Sequence, residues 1–146
     1  MIQDIDSDSF AAWLEMAVEL WPDTEREALE ITFREEMLSN RHQHFIAMHD
    51  EMYVGFINLS LRSDYVEGSS TSPVAYIEGI YVKPDYRGRH IARLLVDAGI
   101  GWGKQQGCTQ IASDTPLSNA ESQQFHQHIG FEQADVIVHF IKNIDD

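Results

Sequence analysis

The chain opens with a pattern of apolar and polar residues that predicts two helices. The first helix is marked by apolar residues three and four positions apart, namely Phe10, Trp13, Leu14, Ala17, Val18 and Trp21. Pro22 stops this helix. Thr24 and Glu27 then have the spacing of a capping box, which predicts a second helix that runs to about Leu38.

The middle of the chain is rich in apolar and aromatic residues at strand spacing and predicts three strands. Residues 44–50 and 52–62 form two of them, joined by a turn at Asp50 and Glu51, and residues 74–82 form the third. Gly79 lies inside the third strand, which indicates a bulge or a close backbone approach at that position.

The remaining sequence alternates between helical and extended patterns. From Gly88 onward one apolar face predicts a helix, formed by Ile91, Leu94, Leu95, Ala98 and Trp102. Residues 109–115 predict a strand, Ser118 and Glu121 predict the capped start of a short helix, and residues 134–143 predict a last strand. This order of elements predicts an α/β fold with a mixed sheet.

The bulk composition limits the classes of protein to consider. The chain has 146 residues and 43% hydrophobic residues, which predicts one folded domain over residues 1–146. Lys and Arg number 10 against 24 Asp and Glu, a formal net charge of -14. Nucleic acid is therefore not an expected partner, because phosphate binding needs the opposite sign. The acidity favours either a cationic ligand or only good solubility.

The cysteines, histidines and apolar runs bear on compartment and metal content. Cys108 is the only cysteine, so no intrachain disulfide is expected and a cytoplasmic location is predicted. Since no apolar run is long enough to span a bilayer, no membrane association is expected either. Among the seven histidines, His126 and His128 lie two apart on a predicted helix and do not converge, so no metal site is predicted.

A small basic turn stands out in this acidic chain. Arg87, Gly88, Arg89 and His90 connect a predicted strand to a predicted helix. A helix start offers unpaired N–H groups and a favourable dipole for an anion such as a diphosphate. The sequence favours this interpretation and a plain solvated connection about equally. Glu78 inside an apolar strand points more strongly to function, because a buried carboxylate is costly unless it is paired.

The basic turn also carries a resemblance to a known family. The stretch VKPDYRGRHIARLL resembles the acetyl-CoA motif of the GNAT acetyltransferases, written Arg/Gln-x-x-Gly-x-Gly/Ala. Arg87 fills its first position and Ala92 its last, whereas His90 stands where the family has glycine. The resemblance implies the GNAT fold, in which helices flank a mixed, mostly antiparallel twisted sheet with splayed middle strands.

Further stretches are similar to one branch of that family, the aminoglycoside 6′-N-acetyltransferases. They are LWPD at residues 20–23, DYVEGSSTSPVAYIEGIYV at residues 64–82, GCTQIASDT at residues 107–115 and HQHIGFEQAD at residues 126–135. The resemblance covers nearly the whole chain. It implies transfer of an acetyl group from acetyl-CoA to the 6′-amine of aminoglycoside antibiotics, and hence a role in antibiotic resistance. It also implies a homodimer, with the last strand as a candidate for its interface.

The resemblance implies a set of coenzyme-binding positions. The backbone of the third strand is expected to pair with the pantetheine arm, the basic turn is expected to hold the pyrophosphate, and one residue reaches the coenzyme from the opposite side. In that order they are Ile80, Tyr81 and Val82; Arg87, Gly88, Arg89, His90, Ile91, Ala92 and Arg93; and Asn119.

The same resemblance implies a set of substrate-facing residues. They are Trp21, Tyr65, Glu78, Asp114 and Asp135. Carboxylates suit ammonium groups through charge-assisted hydrogen bonds, and aromatic rings suit sugar faces. The attacking amine must first lose a proton, and Glu78 or Asp114 either accepts it, directly or through water, or only anchors the substrate. The N–H of Ile80 is expected to stabilise the oxyanion of the thioester carbonyl.

Two alternatives remain open from the sequence. One keeps the fold and the chemistry but takes a polyamine or a peptide or protein amine as the substrate. The other is a module that binds acetyl-CoA without turnover, for which His90 in place of the motif glycine is the best support.

Overall fold

The computed structural model describes residues 1–144. Its elements follow in the order β1 (Ile2–Asp4), α1 (Phe10–Leu20), α2 (Arg26–Met37), β2 (His42–His49), β3 (Met52–Arg62), β4 (Val74–Val82), α3 (Ile91–Gln105), β5 (Ile111–Ser113) and α4 (Ala120–His128). The chain divides into two compact units, Met1–Asp114 and the residues from Thr115 onward. The single domain over residues 1–146 therefore stays a prediction.

The first unit is built on a five-stranded sheet in the order β1-β2-β3-β4-β5. Neighbouring strands are antiparallel except β4 and β5, which are parallel. The predicted α/β fold with a mixed, mostly antiparallel sheet is thus confirmed. Strand β5 pairs only with Ala75–Ile77, while β4 continues to Val82. Among residues 1–144, the ladder on this edge of β4 ends at Ile77, so β4 and the edge strand β5 separate beyond that residue.

Helices α1 and α2 cover one face of the sheet with an aromatic core. The rings of Trp13 and Phe33 stack with centroids 3.9 Å apart, and Phe56 and Tyr81 of the sheet belong to the same buried cluster. Trp13 and Phe56 are fully buried. Aromatic side chains of this size contribute most of the burial energy of a small core, at roughly 25 cal/mol per Å² of apolar surface.

Helix α3 covers the opposite face, and two of its three glycines explain how closely it lies. A Cβ on Gly99 would come 3.0 Å from the Leu59 side chain, and one on Gly103 would come 3.0 Å from the Ala75 Cβ. The helix continues to Gln105 despite a cost of about 1 kcal/mol per glycine relative to alanine. The close packing against the sheet offsets that cost.

A buried polar group ties β2 and β3 to α1. The Asn58 side-chain oxygen accepts from Trp13 Nε1 at 2.9 Å and lies 3.0 Å from His44 Nδ1. An amide oxygen only accepts, so His44 Nδ1 must carry a hydrogen. All three side chains are buried, so this network holds α1, β2 and β3 together in the core.

The structure confirms the predicted turn between β2 and β3 but not the two predicted helix caps. Asp50 and Glu51 have φ values of 50° and 64°, as the predicted tight turn between β2 and β3 requires. The capping box at Thr24 is wrong, because α2 begins at Arg26 with Glu25 at the cap position. The box at Ser118 is also wrong, because Asn119 takes the cap position and accepts from the Ser122 N–H.

The predicted last strand is not present. Residues 131–144 have no assigned secondary structure. From Val136 onward their apolar side chains are exposed, among them Val138, Phe140, Ile141 and Ile144 at 75%, 92%, 97% and 95%. A strand exists only where a neighbour accepts its ladder hydrogen bonds, and the described part of this chain provides none for the segment.

Candidate active site

A bulge in β4 shapes the candidate site. Asn58 pairs with Gly79 and Leu59 pairs with Ile77, so Glu78 is an extra residue without a partner on β3. The bulge that Gly79 predicted is therefore confirmed. It changes the alternation of side chains along β4, so Tyr76 before it and Tyr81 after it both face the side that α1 covers.

The close approach predicted at Gly79 is also present. A Cβ there would lie 2.4 Å from Cζ2 of Trp21, much nearer than any real contact. Trp21 follows the last residue of α1 and is half-buried, packed edge-on to Phe33 and near Phe56. Glycine at position 79 thus allows the indole ring to lie directly on the bulge, next to Glu78.

Glu78 is held by two residues of β3. Its Oε2 accepts from the Ser60 hydroxyl at 2.5 Å and from Arg62 Nε at 3.0 Å, and its Oε1 accepts from Arg62 Nη2 at 2.7 Å. The side chain is 36% exposed, which corrects the expectation of a buried carboxylate. The strand is apolar, but the bulge and the early end of β5 open this position to solvent.

The surroundings of Glu78 determine its charge. Partial burial raises the pKa of this carboxyl, but the hydrogen bonds from Arg62 and Ser60 and the charges of Arg62 and His42 outweigh it, so the net pKa is lowered. Glu78 is therefore a carboxylate at neutral pH with little tendency to accept a proton.

Arg62 extends the network from Glu78 to Asp114. Its guanidinium carbon lies 3.4 Å from the ring centroid of Tyr76, and the Tyr76 hydroxyl donates to Oδ2 of Asp114. Burial and the Asp114 carboxylate raise the pKa of Tyr76, so its hydroxyl stays protonated as a donor. Two of the predicted site carboxylates are thus brought together through two residues that the sequence did not single out.

The pattern that could have identified Arg62 is the alternation along β3. One face of β3 carries every second residue, namely Phe56, Asn58, Ser60 and Arg62. Phe56 lies in the buried core, and Arg62 lies at the exposed end of the strand. An arginine at a strand end reads as a solvated charge in the sequence alone. Only the bulge in the neighbouring strand brings a carboxylate opposite it.

Tyr65 lies on the loop that follows β3. It is 75% exposed and lines the same surface depression as Arg62, Ser63 and Asp64. Its exposed ring lies in the same depression as Arg62, and its contact with a substrate stays a prediction.

Two residues of the basic turn adopt left-handed backbone conformations just before α3 begins. Gly88 and His90 have φ values of 80° and 63°, and α3 begins at Ile91 rather than at Gly88. The Leu94 N–H bonds the His90 carbonyl as the first helical hydrogen bond, so the N–H groups of Ile91, Ala92 and Arg93 precede the helical ladder. These are the unpaired donors expected at a helix start, and their binding of a pyrophosphate stays a prediction.

Local contacts hold the two arginines of this turn. Arg87 Nε donates to the Val82 carbonyl at 2.8 Å. Arg89 Nη1 lies 3.2 Å from His49 Nε2, and its guanidinium carbon lies 5.3 Å from the centroid of the Tyr86 ring. Both side chains are exposed, so their positive charge remains at the surface of the turn.

The open edge of β4 offers backbone groups next to this turn. The Lys83 N–H bonds Val54 on β3, whereas the Val82 carbonyl faces Arg87 and so points away from β3. By strand alternation the backbone of Ile80 points the same way as that of Val82. The side chain of Tyr81 lies in the buried core, and its hydroxyl donates a hydrogen bond to Glu19. Burial and the Glu19 carboxylate raise the pKa of Tyr81 to about 12.

The second unit carries the last two predicted site residues. Asn119 caps α4 through its side-chain oxygen, which accepts from the Ser122 N–H at 3.1 Å. Asp135 is exposed, and its Oδ1 accepts from the Val136 N–H at 2.8 Å. Their contacts with coenzyme and substrate stay predictions.

The described residues, 1–144, contain neither a metal-binding cluster nor a membrane-spanning helix. No group of three or more His, Cys, Asp or Glu side chains in this range is placed to hold a metal ion. No helix within the same range is both long and apolar enough to cross a membrane.

Comparisons with known proteins agree with this architecture. The family model described as the acetyltransferase (GNAT) family matches residues 8–131. The aminoglycoside N(6′)-acetyltransferase type 1 of Serratia marcescens is 38% identical over 99% of both chains, and that of Salmonella typhimurium is 40% identical over 89% of this chain and 90% of its own. The structure of AAC(6′)-Iy with the bisubstrate analogue CoA-S-monomethyl-acetylneamine superposes with a TM-score of 0.95 at 35% identity, covering 99% of this chain and 98% of its own. The chain therefore belongs to the GNAT family of acetyltransferases, in which it is similar to the aminoglycoside 6′-N-acetyltransferases.

Proposed function

We propose that this chain transfers the acetyl group of acetyl-CoA to the 6′-amine of aminoglycosides. One observation carries the proposal: Glu78 and Asp114 are joined through Arg62 and Tyr76 on an open part of the sheet, beside an indole ring. Carboxylates and aromatic rings in one place suit a ligand made of sugar rings and ammonium groups. Relatives similar over almost the whole chain are named for this activity.

The basic turn and the open edge of β4 fit the coenzyme. The N–H groups at the start of α3 and the arginines of the turn suit a pyrophosphate. Open space surrounds Gly88, because a Cβ there would meet nothing within 4 Å. Ile80 and Val82 would offer backbone groups to the pantetheine arm. When bound, acetyl-CoA supplies the acetyl group as a thioester.

The chain's own residues divide the remaining tasks. Glu78 and Asp114 would accept hydrogen bonds from substrate ammonium groups, and Trp21 and Tyr65 would lie against its rings. The lowered pKa of Glu78 supports an anchoring role over that of a base. The N–H of Ile80 would donate toward the carbonyl oxygen of the acetyl group. Holding the amine beside the thioester would provide much of the rate.

The exposed apolar segment supports a homodimer. Phe140 and Ile141 are 92% and 97% exposed, and an exposed apolar segment of strand-like composition would gain ladder partners and burial from another chain. Replacing both residues with serine costs an isolated monomer little, because both are already exposed. Sedimentation of the 16.7 kDa chain would test this: the unchanged protein should sediment as a dimer and the double variant as a monomer. A monomeric unchanged protein would contradict the proposal.

We place the protein in the cytoplasm. Its single cysteine, Cys108, is buried, and burial raises the pKa of its thiol. A chain with one buried thiol and no disulfide suits a reducing compartment. Resistance would follow in a host cell because acetylation removes the positive charge of the amine.

A panel of amines tests the proposed substrate. The purified protein is incubated with acetyl-CoA and a kanamycin-type aminoglycoside, spermidine or a peptide, and the released thiol is measured. We expect the aminoglycoside to give the highest kcat/KM. A preference for spermidine or the peptide would show that the substrate is a polyamine or a peptide amine. If calorimetry detects binding of acetyl-CoA but no amine gives a product, the protein is a binding module.

A further inference from the structure

The Arg62–Glu78 pair has few free hydrogen-bonding positions on its carboxylate. A carboxylate oxygen has about two acceptor sites. Oε2 of Glu78 uses both, for Ser60 and Arg62 Nε, and Oε1 uses one, for Arg62 Nη2. One acceptor position is left on Oε1, so a ligand donor is bound in a single direction.

The guanidinium is itself fixed in place. Its central carbon lies over the Tyr76 ring, 3.4 Å from the ring centroid, and the bidentate contact with Glu78 fixes its rotation. Tyr76 is held in turn by its hydrogen bond to Asp114. Because the guanidinium is restrained by both Tyr76 and Glu78, it holds the Glu78 carboxylate in one orientation and is not a mobile surface charge.

The charges facing Glu78 come from each neighbouring element. Arg62 with the Ser60 hydroxyl lies on β3, Tyr76 on β4, and Asp114 directly after β5. His42 on β2 favours the carboxylate form when it is protonated. Arg62 is the one permanent positive charge among these groups, and it interacts with both carboxylates, with Glu78 as its direct ion-pair partner.

From this geometry we propose that Arg62 is a positioning residue of the acetyl transfer. It makes Glu78 a hydrogen-bond acceptor of fixed direction and prevents Glu78 from acting as the base. The inference rests on the proposed function, because the acceptor matters only if a substrate amine or hydroxyl lies against it.

Two substitutions of Arg62 separate its charge from its geometry. Arg62→Met removes both, and Arg62→Lys keeps the charge without the bidentate fork. We expect Arg62→Met to lower kcat/KM for the aminoglycoside by on the order of tenfold or more, the size of one charge-assisted hydrogen bond. We expect Arg62→Lys to restore part of it, and the Kd of acetyl-CoA to stay unchanged in both.

The pH profile distinguishes positioning from a structural role. Without Arg62 the pKa of Glu78 should rise, which moves the acid limb of kcat/KM to higher pH. If Glu78 were the base and Arg62 only restrained it, Arg62→Met would instead raise kcat near neutral pH. A raised kcat, or an unchanged kcat/KM and acid limb, would overturn the proposal.

The chain offers a matched control. Arg34 lies 4.5 Å over the Phe10 ring and 3.8 Å from Glu30, the same kind of arrangement on an exposed helix surface. Arg34→Met should leave the kinetics and the pH profile unchanged. An equal loss in both variants would show that removing any stacked arginine disturbs the fold, and would overturn the specific role of Arg62.

A readout without turnover keeps this inference separate from the proposed function. The glutamate carboxyl carbons are labelled with ¹³C, and Glu78→Gln identifies the Glu78 signal. Its titration midpoint should be lower in the unchanged protein than in Arg62→Met. An inactive but folded protein with this difference would refute the proposed substrate and keep the Arg62–Glu78 coupling, whereas equal midpoints would refute the coupling.

Discussion

Gly79→Ala is the smallest change that tests how the bulge and Trp21 form the site. The added Cβ would lie 2.4 Å from Cζ2 and 2.6 Å from Cη2 of the indole, and 3.2 Å from a Leu20 methyl group. Carbon atoms approach to about 3.5 Å, so the ring must move by roughly 1 Å. Phe33 and Phe56 also pack against the indole and limit that movement.

The expected cost follows from this overlap. If the shifted ring stays packed against Phe33 and Phe56, the overpacked contact should destabilise the fold by about 1–3 kcal/mol. If the ring swings outward, stability is largely kept and the aminoglycoside contact is lost, so KM rises. Urea unfolding and steady-state kinetics on the same preparation should show either a lower free energy of unfolding or a higher KM for the aminoglycoside.

Two controls make this experiment decisive. Gly101→Ala adds the same atom on the exposed surface of α3, where nothing lies within 4 Å, and should stabilise the helix by about 0.5–1 kcal/mol. In a Trp21→Ala background the overlap disappears, so Gly79→Ala should then have little further effect. Unchanged stability and unchanged KM for Gly79→Ala would refute the packing described for the site.

Other predictions concern the buried network and the carboxylates. Asn58→Leu leaves two buried donors, Trp13 Nε1 and His44 Nδ1, without an acceptor. Urea unfolding should show a free energy of unfolding lower by about 2–6 kcal/mol; a loss below about 1 kcal/mol would contradict the network. Tyr76→Phe removes the donor to Asp114 and should raise the aminoglycoside KM while calorimetry gives the same Kd for acetyl-CoA; a changed Kd would count against it. The folded pKa of Glu78 lies below its ordinary value of 4.5, so its contribution to stability is present above pH 4.5 and is lost as pH falls through the lowered folded value. Urea unfolding across that range should show a steeper loss in the unchanged protein than in Glu78→Gln, and equal slopes would contradict the pairing.

Much of the fold could be predicted from residue spacing. Tight turns leave strong local signals, as at Asp50 and Glu51, and Gly79 indicated both the bulge and the close approach. Helix caps were harder, because Thr24 and Ser118 lie one residue before the positions where the backbone enters the helix. The last strand failed for a different reason: residues 134–143 have strand composition, but pairing depends on a neighbour that sequence spacing does not specify.

The site was predictable in its residue types but not in its connections. Glu78 was singled out as a carboxylate in an apolar strand, yet its exposure depends on where β5 ends. Arg62 and Tyr76 were missed because their roles arise only across strands, through an ion pair and a stacked ring. The family resemblance implied the candidate residues, and only the three-dimensional structure shows which of them share a network.

The most direct test of the central claim is the position of the acetyl group on the product. A kanamycin-type aminoglycoside is incubated with the protein and acetyl-CoA, and the product is analysed by mass spectrometry and two-dimensional NMR. The proposed function predicts a single added acetyl group on the 6′-nitrogen, and no product from an aminoglycoside that carries a 6′-hydroxyl and no 6′-amine. Acetylation at another amine, or at several amines without preference, would contradict it.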